Sequence, residues 1–265
     1  MGGMPESILG AEHAALWLSL IESRLGMVLP PLQHRLFENR VMERMQSKGM
    51  DMQSYYLLAH QSRSEWQQLA EALVVNETAF FRHQPSYELV RRFLSQTNQE
   101  TKLWSLGCST GEEPWSLAMY ARAYGLKNSH IIASDVSEKV LRVARRGVYS
   151  ARRAESIPED WRNRFGSPLP SGEWRVGDSL RSAVYFHKFN LMDVAKAPFR
   201  DLHLIYCQNV LIYFRKFDRR DILDALVMRL QPGGMLILGP GEMPDWNHAQ
   251  MKRVSEAGTL AYERI

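Results

Sequence analysis

The feature that most restricts the fold of this chain is a strand–helix alternation that begins near residue 102. "KLWSLG" (102–107) is a short apolar run ending in glycine, and "EEPWSLAMYARAYG" places acids and Pro114 in a first helical turn with Gly125 at its end. "SHIIASD" is a second apolar run, followed by the helical pattern "SEKVLRVARRG". "AVYFHKFNL", "LHLIYCQNV" and "MLILG" supply further strands, with the helix "RRDILDALVMRLQPGG" before the last of them. Strands alternating with helices predict an α/β fold with a parallel, doubly wound sheet. The continuous apolar "LHLIYC" fits a strand buried on both faces. "RVSEAGTLAYERI" is expected to close the sheet as an antiparallel hairpin. Residues 155–183 do not fit the alternation, and the turn-rich "RFGSPLPSGEWRVGDSLRSAV" reads as an inserted small antiparallel sheet.

Upstream, residues 11–85 carry helical periodicity and no strand pattern. Pro31 suits the first turn of one helix and Gly49 its stop; Asp51 and Ser64 are expected N-caps, the latter with Gln67 completing a capping box. The expected division is a helical domain over 1–85, a connecting helix over 86–98 and an α/β domain over 99–265. Between them, "VNETAFFRH" (75–83) is no ordinary linker, since its adjacent aromatics flanked by Asn, Thr and Arg are built to pack and to hydrogen-bond. Only Cys108 and Cys207 are present, which argues against a disulfide framework or a zinc site and fits a reducing compartment. No metal is expected. The sequence has no apolar run of the roughly 18–20 residues that span a bilayer, and its N-terminus does not read as a signal peptide. A cytoplasmic protein without membrane insertion is expected. A net charge of +4 and a pI near 9.1 permit an acidic partner without demanding one.

In a doubly wound sheet, ligands bind beyond the carboxyl ends of the strands. Gly107 and Gly111 in "GCSTGEEP" allow a tight turn and close approach of a ligand. Glu112 and Glu113 then open the helix, which disfavours a pyrophosphate and favours a sulfonium or amino group, although acids also serve there as ordinary helix caps. Asp135 ends the second strand at a distance suited to a ribose hydroxyl pair, or else caps the next helix, a task that Ser137 can take. Asn190 in "FNL" stands where it can read an adenine edge, and Asn209 and Tyr213 in "CQNVLIYF" follow the fourth strand. A tyrosine face can favour a sulfonium, while Phe214 reads as core. An adenosine ligand with a positive, unphosphorylated tail describes S-adenosylmethionine better than a dinucleotide or ATP.

"NETAFFRH", "WSLGCSTGEEPWSLAM", "ASDVSEKVLRVARRGVY", "FNL" and "CQNVLIYF" together resemble, in order and spacing, the CheR-type chemotaxis receptor methyltransferases. The resemblance runs from about residue 15 to 263. It implies a helical N-terminal domain, a Rossmann-like catalytic domain and a small inserted antiparallel β-subdomain. The implied activity is methyl transfer from S-adenosylmethionine to glutamate carboxylates on the cytoplasmic helical bundle of a chemoreceptor. Carried over by residue, Asn76, Thr78 and Arg82 would contact the cofactor, with Phe80 and Phe81 packing their segment against the catalytic domain. Gly107, Glu113, Asp135, Asn190, Leu191, Gln208 and Asn209 complete the implied cofactor set, and Tyr213 would lie beside the transferred methyl, with Arg82 also orienting the carboxylate. Gln208 stands where the family usually has Arg, and "GPGEMP" (239–244) is a variant of a Gly-His-Ser-Glu segment; both suggest a divergent branch.

A glutamate substrate is already ionised at neutral pH, so no general base is required. His83 and His187 are expected to be structural or exposed, and Cys108 a small turn residue. Arg40 and Arg44, at i and i+4 with Arg35 and Lys48 nearby, form a basic row suited to an acidic helical bundle, or simply a solvated face. A monomer that binds no nucleic acid is expected. The competing readings are a non-catalytic S-adenosylmethionine-binding regulator, prompted by Gln208, and a nucleic-acid methyltransferase, prompted by the basic pI.

Overall fold

In the computed structural model, residues 7–73, 77–96, 100–126, 128–255 and 258–265 are described. The chain divides into two compact units, one of Met1–Val75 with Tyr213–Asp218 and one of Asn76–Ile212 with Arg219–Ile265.

The first unit is built from α1 (Ala11–Leu25), α2 (Pro31–Ser47), α3 (Met52–Gln61) and α4 (Arg63–Leu73). Helix α1 buries Ala14, Trp17, Leu20, Ile21 and Leu25, a stripe at helical spacing, and stops at Gly26, which adopts a left-handed conformation. Asp51 caps α3 by accepting the Ser54 amide at 2.8 Å. The cap of α4 is Ser62 rather than Ser64: its hydroxyl accepts the Glu65 amide at 3.2 Å. The earlier start has a packing reason. It turns the buried Glu65 carboxylate onto Arg44 Nε (2.7 Å), Tyr55 Oη (3.0 Å) and Lys48 Nζ (3.4 Å), joining α2, α3 and α4. Residues Tyr213–Asp218 are held to this unit by a Met27–Phe214 bridge and by the Val28 amide, which donates to Tyr213 O at 2.6 Å.

Burial works against the Glu65 carboxylate, but hydrogen bonds from Arg44 and Tyr55 outweigh it and lower the pKa. Its contribution to stability is therefore present above the unfolded-state pKa and is lost as pH falls through the folded one. Glu65→Gln is expected to cost about 1–3 kcal/mol in urea unfolding, because Arg44 loses its counterion and the Tyr55 hydroxyl loses a charged acceptor. A loss within about 0.5 kcal/mol of zero, the range of ordinary surface changes, would contradict that role.

The second unit contains a seven-stranded sheet. Its parallel strands are β1 (Thr101–Leu106), β2 (Ser129–Asp135), β6 (Val184–Lys188), β7 (Leu202–Cys207) and β8 (Leu230–Leu238). The antiparallel β9 (Met251–Val254) and β10 (Leu260–Arg264) complete the order β6-β2-β1-β7-β8-β10-β9. The helices α5 (Gln84–Ser95), α6 (Glu112–Ala123), α7 (Glu138–Arg146) and α11 (Lys216–Val227) lie between or before strands. From β1 the chain builds outward through β2 to β6, then returns to lay β7 on the other side of β1. The strand order therefore reverses between β1 and β7, and the crevice beyond their carboxyl ends is the switch point where such sheets take ligands.

In the sheets of this unit, two features differ from expectation, and the connecting helix is found at Gln84–Ser95 rather than over 86–98. Strand β8 begins at Leu230, inside the segment read as helix, since Pro232 and Gly233 (φ 75°) cannot continue one. The register with β7 shifts between Leu202 and Leu204, so "QPGG" bulges from the ladder. The small sheet is β3 (Val148–Ser150), β5 (Glu173–Val176) and β4 (Gly166–Pro168), all antiparallel, so one strand lies upstream of 155. Helices α8 (Ala151–Ala154), α9 (Glu159–Phe165) and α10 (Asp178–Arg181) accompany it.

Candidate active site

The turn after β1 is closed by two glycines at positive φ, each crowded where a Cβ would lie. Gly107 (φ 68°) would carry a Cβ 2.3 Å from Val210 Cγ2, and Gly111 (φ 98°) one 2.7 Å from Ala144 Cβ. Asp135, at the end of β2, crosses to this turn. One carboxylate oxygen accepts the Ser109 amide and the other the Ser137 amide, both at 2.9 Å. The cap of α7 is Ser137, whose hydroxyl accepts the Val140 amide at 3.4 Å, so Asp135 is not the helix cap. Burial raises the Asp135 pKa against the pull of these amides.

The adjacent glutamates have different tasks. Glu112 is fully buried, its carboxylate bound to Arg153 Nη1 at 2.9 Å and Thr110 Oγ1 at 2.7 Å. Arg153 comes from α8, and Tyr149 on β3 donates to the Thr110 carbonyl at 2.7 Å, so the inserted subdomain holds the glycine turn. Neither contact was anticipated, and no local pattern in the sequence marks them. Glu113 is half-buried and accepts the Ser105 hydroxyl at 2.6 Å. Desolvation pushes its pKa up to about 8, with Ser105 opposing, Glu242 adding and Arg82 opposing.

At the end of β7, Asn209 takes a left-handed conformation (φ 60°). Gln208, expected among the cofactor contacts, donates from Nε2 to Ser86 Oγ (2.7 Å) and to Leu238 O (3.0 Å), and accepts from Tyr206 Oη (3.0 Å). It fastens β7 to α5 and β8. After β6, Asn190 Oδ1 accepts the Met192 amide at 3.1 Å and caps the short helix Leu191–Lys196, with Leu191 buried.

The aromatic pair of the linker is fully used. Phe80 meets Tyr149 and Trp174 edge-on at 5.0 and 6.1 Å, both in the inserted sheet. Phe81 packs on Tyr87, Tyr120 and Trp161 at 5.4, 5.7 and 5.8 Å, and its amide donates to Ser116 Oγ at 3.1 Å. Thr78 is half-buried; Arg82 is exposed and donates to the Glu77 carbonyl at 2.9 Å. Asn76 lies outside the described residues.

Tyr213, Arg40 and Arg44 belong to the first unit. Arg44 is committed to Glu65 and, at 2.9 Å, to Gln68; Arg40 is exposed and pairs with Glu43 at 2.8 Å. His83 bonds Ser86 Oγ at 2.8 Å and His187 is exposed. Burial pushes the Cys108 thiol well up, which leaves it unreactive. Among the described residues no group of three or more His, Cys, Asp or Glu side chains could hold a metal ion, and no helix is long and apolar enough to cross a membrane.

A family model described as the CheR methyltransferase, SAM binding domain, matches residues 76–259. The chain belongs to the CheR methyltransferase family. A chemotaxis protein methyltransferase of Salmonella typhimurium is 33% identical over 243 residues, covering 88% of this chain and 84% of that protein. One of Escherichia coli is 31% identical over 263 residues, covering 96% and 91%. Chemotaxis protein methyltransferase 2 of Vibrio cholerae is 34% identical over 198 residues, covering 71% and 69%. The match begins with the second unit and stops before β10, and the glycine turn, Asp135 and Glu113 within it stand at the switch point of the sheet.

Proposed function

We propose that this chain transfers a methyl group from S-adenosylmethionine to glutamate side chains of a chemoreceptor, forming methyl esters. The observation that carries the reading is the switch-point crevice. It has a glycine turn too tight for any Cβ, two carboxyl groups, Glu113 and Asp135, and a first helical turn that opens with acids. That chemistry suits a ligand with ribose hydroxyls and a cationic tail. Thr78, Arg82, Gly107, Glu113, Asp135, Asn190, Leu191 and Asn209 would hold the ligand, and Gln208 would support them from within the fold. The names of the relatives support a chemotaxis substrate.

The bound cofactor supplies an activated methyl on a sulfonium whose charge disappears on transfer. The protein's part is to position and to exclude water. The incoming carboxylate is ionised, so no base is needed. Arg82, exposed on the linker, would orient that carboxylate. With Arg44 and Lys48 bound to Glu65, Arg35 and Arg40 are the exposed members of the basic row that could meet an acidic receptor helix, Arg40 leaving Glu43 to do so. Arg40→Ala is expected to slow receptor methylation about 2–5-fold, the size of a rim charge, with cofactor affinity unchanged. Gln208, the residue that prompted a regulator reading, has its amide engaged within the fold.

The test is transfer of labelled methyl from S-adenosylmethionine to receptor-containing membranes, scored as methanol released by mild alkali. Labelled methanol that disappears when the receptor's candidate glutamates become alanine supports ester formation. Alkali-stable label, or none from a protein that binds S-adenosylhomocysteine, overturns it.

A further inference from the structure

Beyond β8 the chain turns through Gly239 to Glu242, which is only 2% exposed. A carboxylate that deep needs compensation. Glu242 finds it in backbone amides. Oε1 accepts Val210 N and Leu211 N, each at 2.8 Å, and Oε2 accepts Gly239 N at 2.6 Å. The Asn209 amide, one residue earlier, adds to the field that favours this carboxylate's charge. The successive N–H groups of Val210 and Leu211 therefore converge on one internal anion, as in a backbone nest that holds a phosphate.

The consequence falls on Asn209. Its φ of 60° is uncommon for a residue other than glycine and persists only where the surroundings impose it. The Glu242 carboxylate supplies that constraint, fixing the two residues that follow Asn209 through their amides and tying them to Gly239. The same turn faces the other wall of the crevice, for Val210 is the side chain that a Cβ on Gly107 would strike. Arg219 reinforces the arrangement, donating from Nη1 to the Glu242 carbonyl and from Nη2 to the Ile212 carbonyl, both at 3.1 Å. Room for the carboxylate comes from Gly239, where a Cβ would lie 2.4 Å from Oε2.

We infer that Glu242 is a positioning residue of the cofactor site: a buried anion that holds the backbone after β7 so that Asn209 is presented to the crevice. The inference rests on the proposed contact between Asn209 and the cofactor. Glu242 itself does not touch the ligand; it acts through Asn209.

The experiment is a double-mutant cycle of Asn209→Ala and Glu242→Gln, read as S-adenosylhomocysteine affinity by calorimetry, with a melting curve for each protein. In Glu242→Gln the amide group presents a donor to N–H groups that need an acceptor. Each single change is expected to weaken binding about tenfold, a hydrogen bond's worth. The double variant should be no weaker than the worse single one, because the two act in series. Losses that multiply to about a hundredfold overturn the positioning role, as does an unchanged affinity with a lowered melting temperature. An unchanged affinity in Asn209→Ala alone removes the proposed contact and the inference with it. Should Glu242→Gln fail to fold, Gly239→Ala crowds the same oxygen and completes the same cycle.

Discussion

Phe81→Ala is expected to remove about 3–5 kcal/mol of stability, the range for truncating a buried phenylalanine, and most of the cofactor affinity with it. The ring is buried among Tyr87 of α5, Tyr120 of α6 and Trp161 of α9, so three elements lose a shared contact. Alanine gives no backbone relief in return, because residue 81 sits at φ 52° and its amide is pinned to Ser116. The affinity falls because Phe81 anchors the segment that carries Thr78 and Arg82, the proposed ligand contacts. Unfolding followed by tryptophan fluorescence reads the first effect, with Trp161 in contact with the deleted ring. Titration of S-adenosylhomocysteine into the still-folded variant reads the second. A stability loss below about 1 kcal/mol would mean that the pocket collapses around the smaller side chain. Wild-type affinity in the folded variant would detach the linker from the cofactor site.

The sheet was legible because its strands are apolar runs whose ends are punctuated by Gly107, Asp135 and Asn209, the residues that a switch point needs. What lies beneath the site was less so. Glu112 and Glu113 are indistinguishable in sequence, yet one turns to Arg153 and the other to Ser105. That choice depends on a partner in an insertion, which no local pattern can foresee. Gln208 reads in sequence as a cofactor contact, but its amide is bonded to Tyr206, Ser86 and Leu238, partners that the sequence around it does not mark. Ser62 outcompetes Ser64 as a cap because it aims Glu65 at Arg44 and Tyr55, a tertiary gain that outweighs a local capping box. The same pairing takes Arg44 out of the basic row that its spacing suggested. Glu242 lies within "GPGEMP", which reads in the sequence only as a variant segment; its importance comes from the three amides it binds.

Glu113 should make cofactor binding release a proton. Desolvation first, then the Glu242 charge, pushes its pKa up to about 8, against Ser105 and Arg82, so at pH 7 the ligand-free protein holds this carboxyl mostly protonated. A cationic group bound beside it, as proposed, favours the ionised form and lowers the pKa. Affinity is then expected to rise with pH, approaching about tenfold per unit below pH 8 and flattening above it. Stability of the ligand-free protein runs the other way. A carboxyl whose folded pKa exceeds its unfolded value near 4.3 contributes stability that is fully present below that value and is lost as pH climbs to about 8. The raised values of Glu112, Asp135 and Glu242 act in the same sense. Calorimetry in two buffers of different ionisation enthalpy, at pH 6.5, 7.5 and 8.5, measures the released proton directly. Glu113→Gln should flatten the affinity profile and abolish the release; a wild-type protein with neither would place no cation at Glu113. Comparing ligands identifies the cation. A steeper slope for S-adenosylmethionine than for S-adenosylhomocysteine assigns Glu113 to the sulfonium, whereas equal slopes assign it to the amino group that both share.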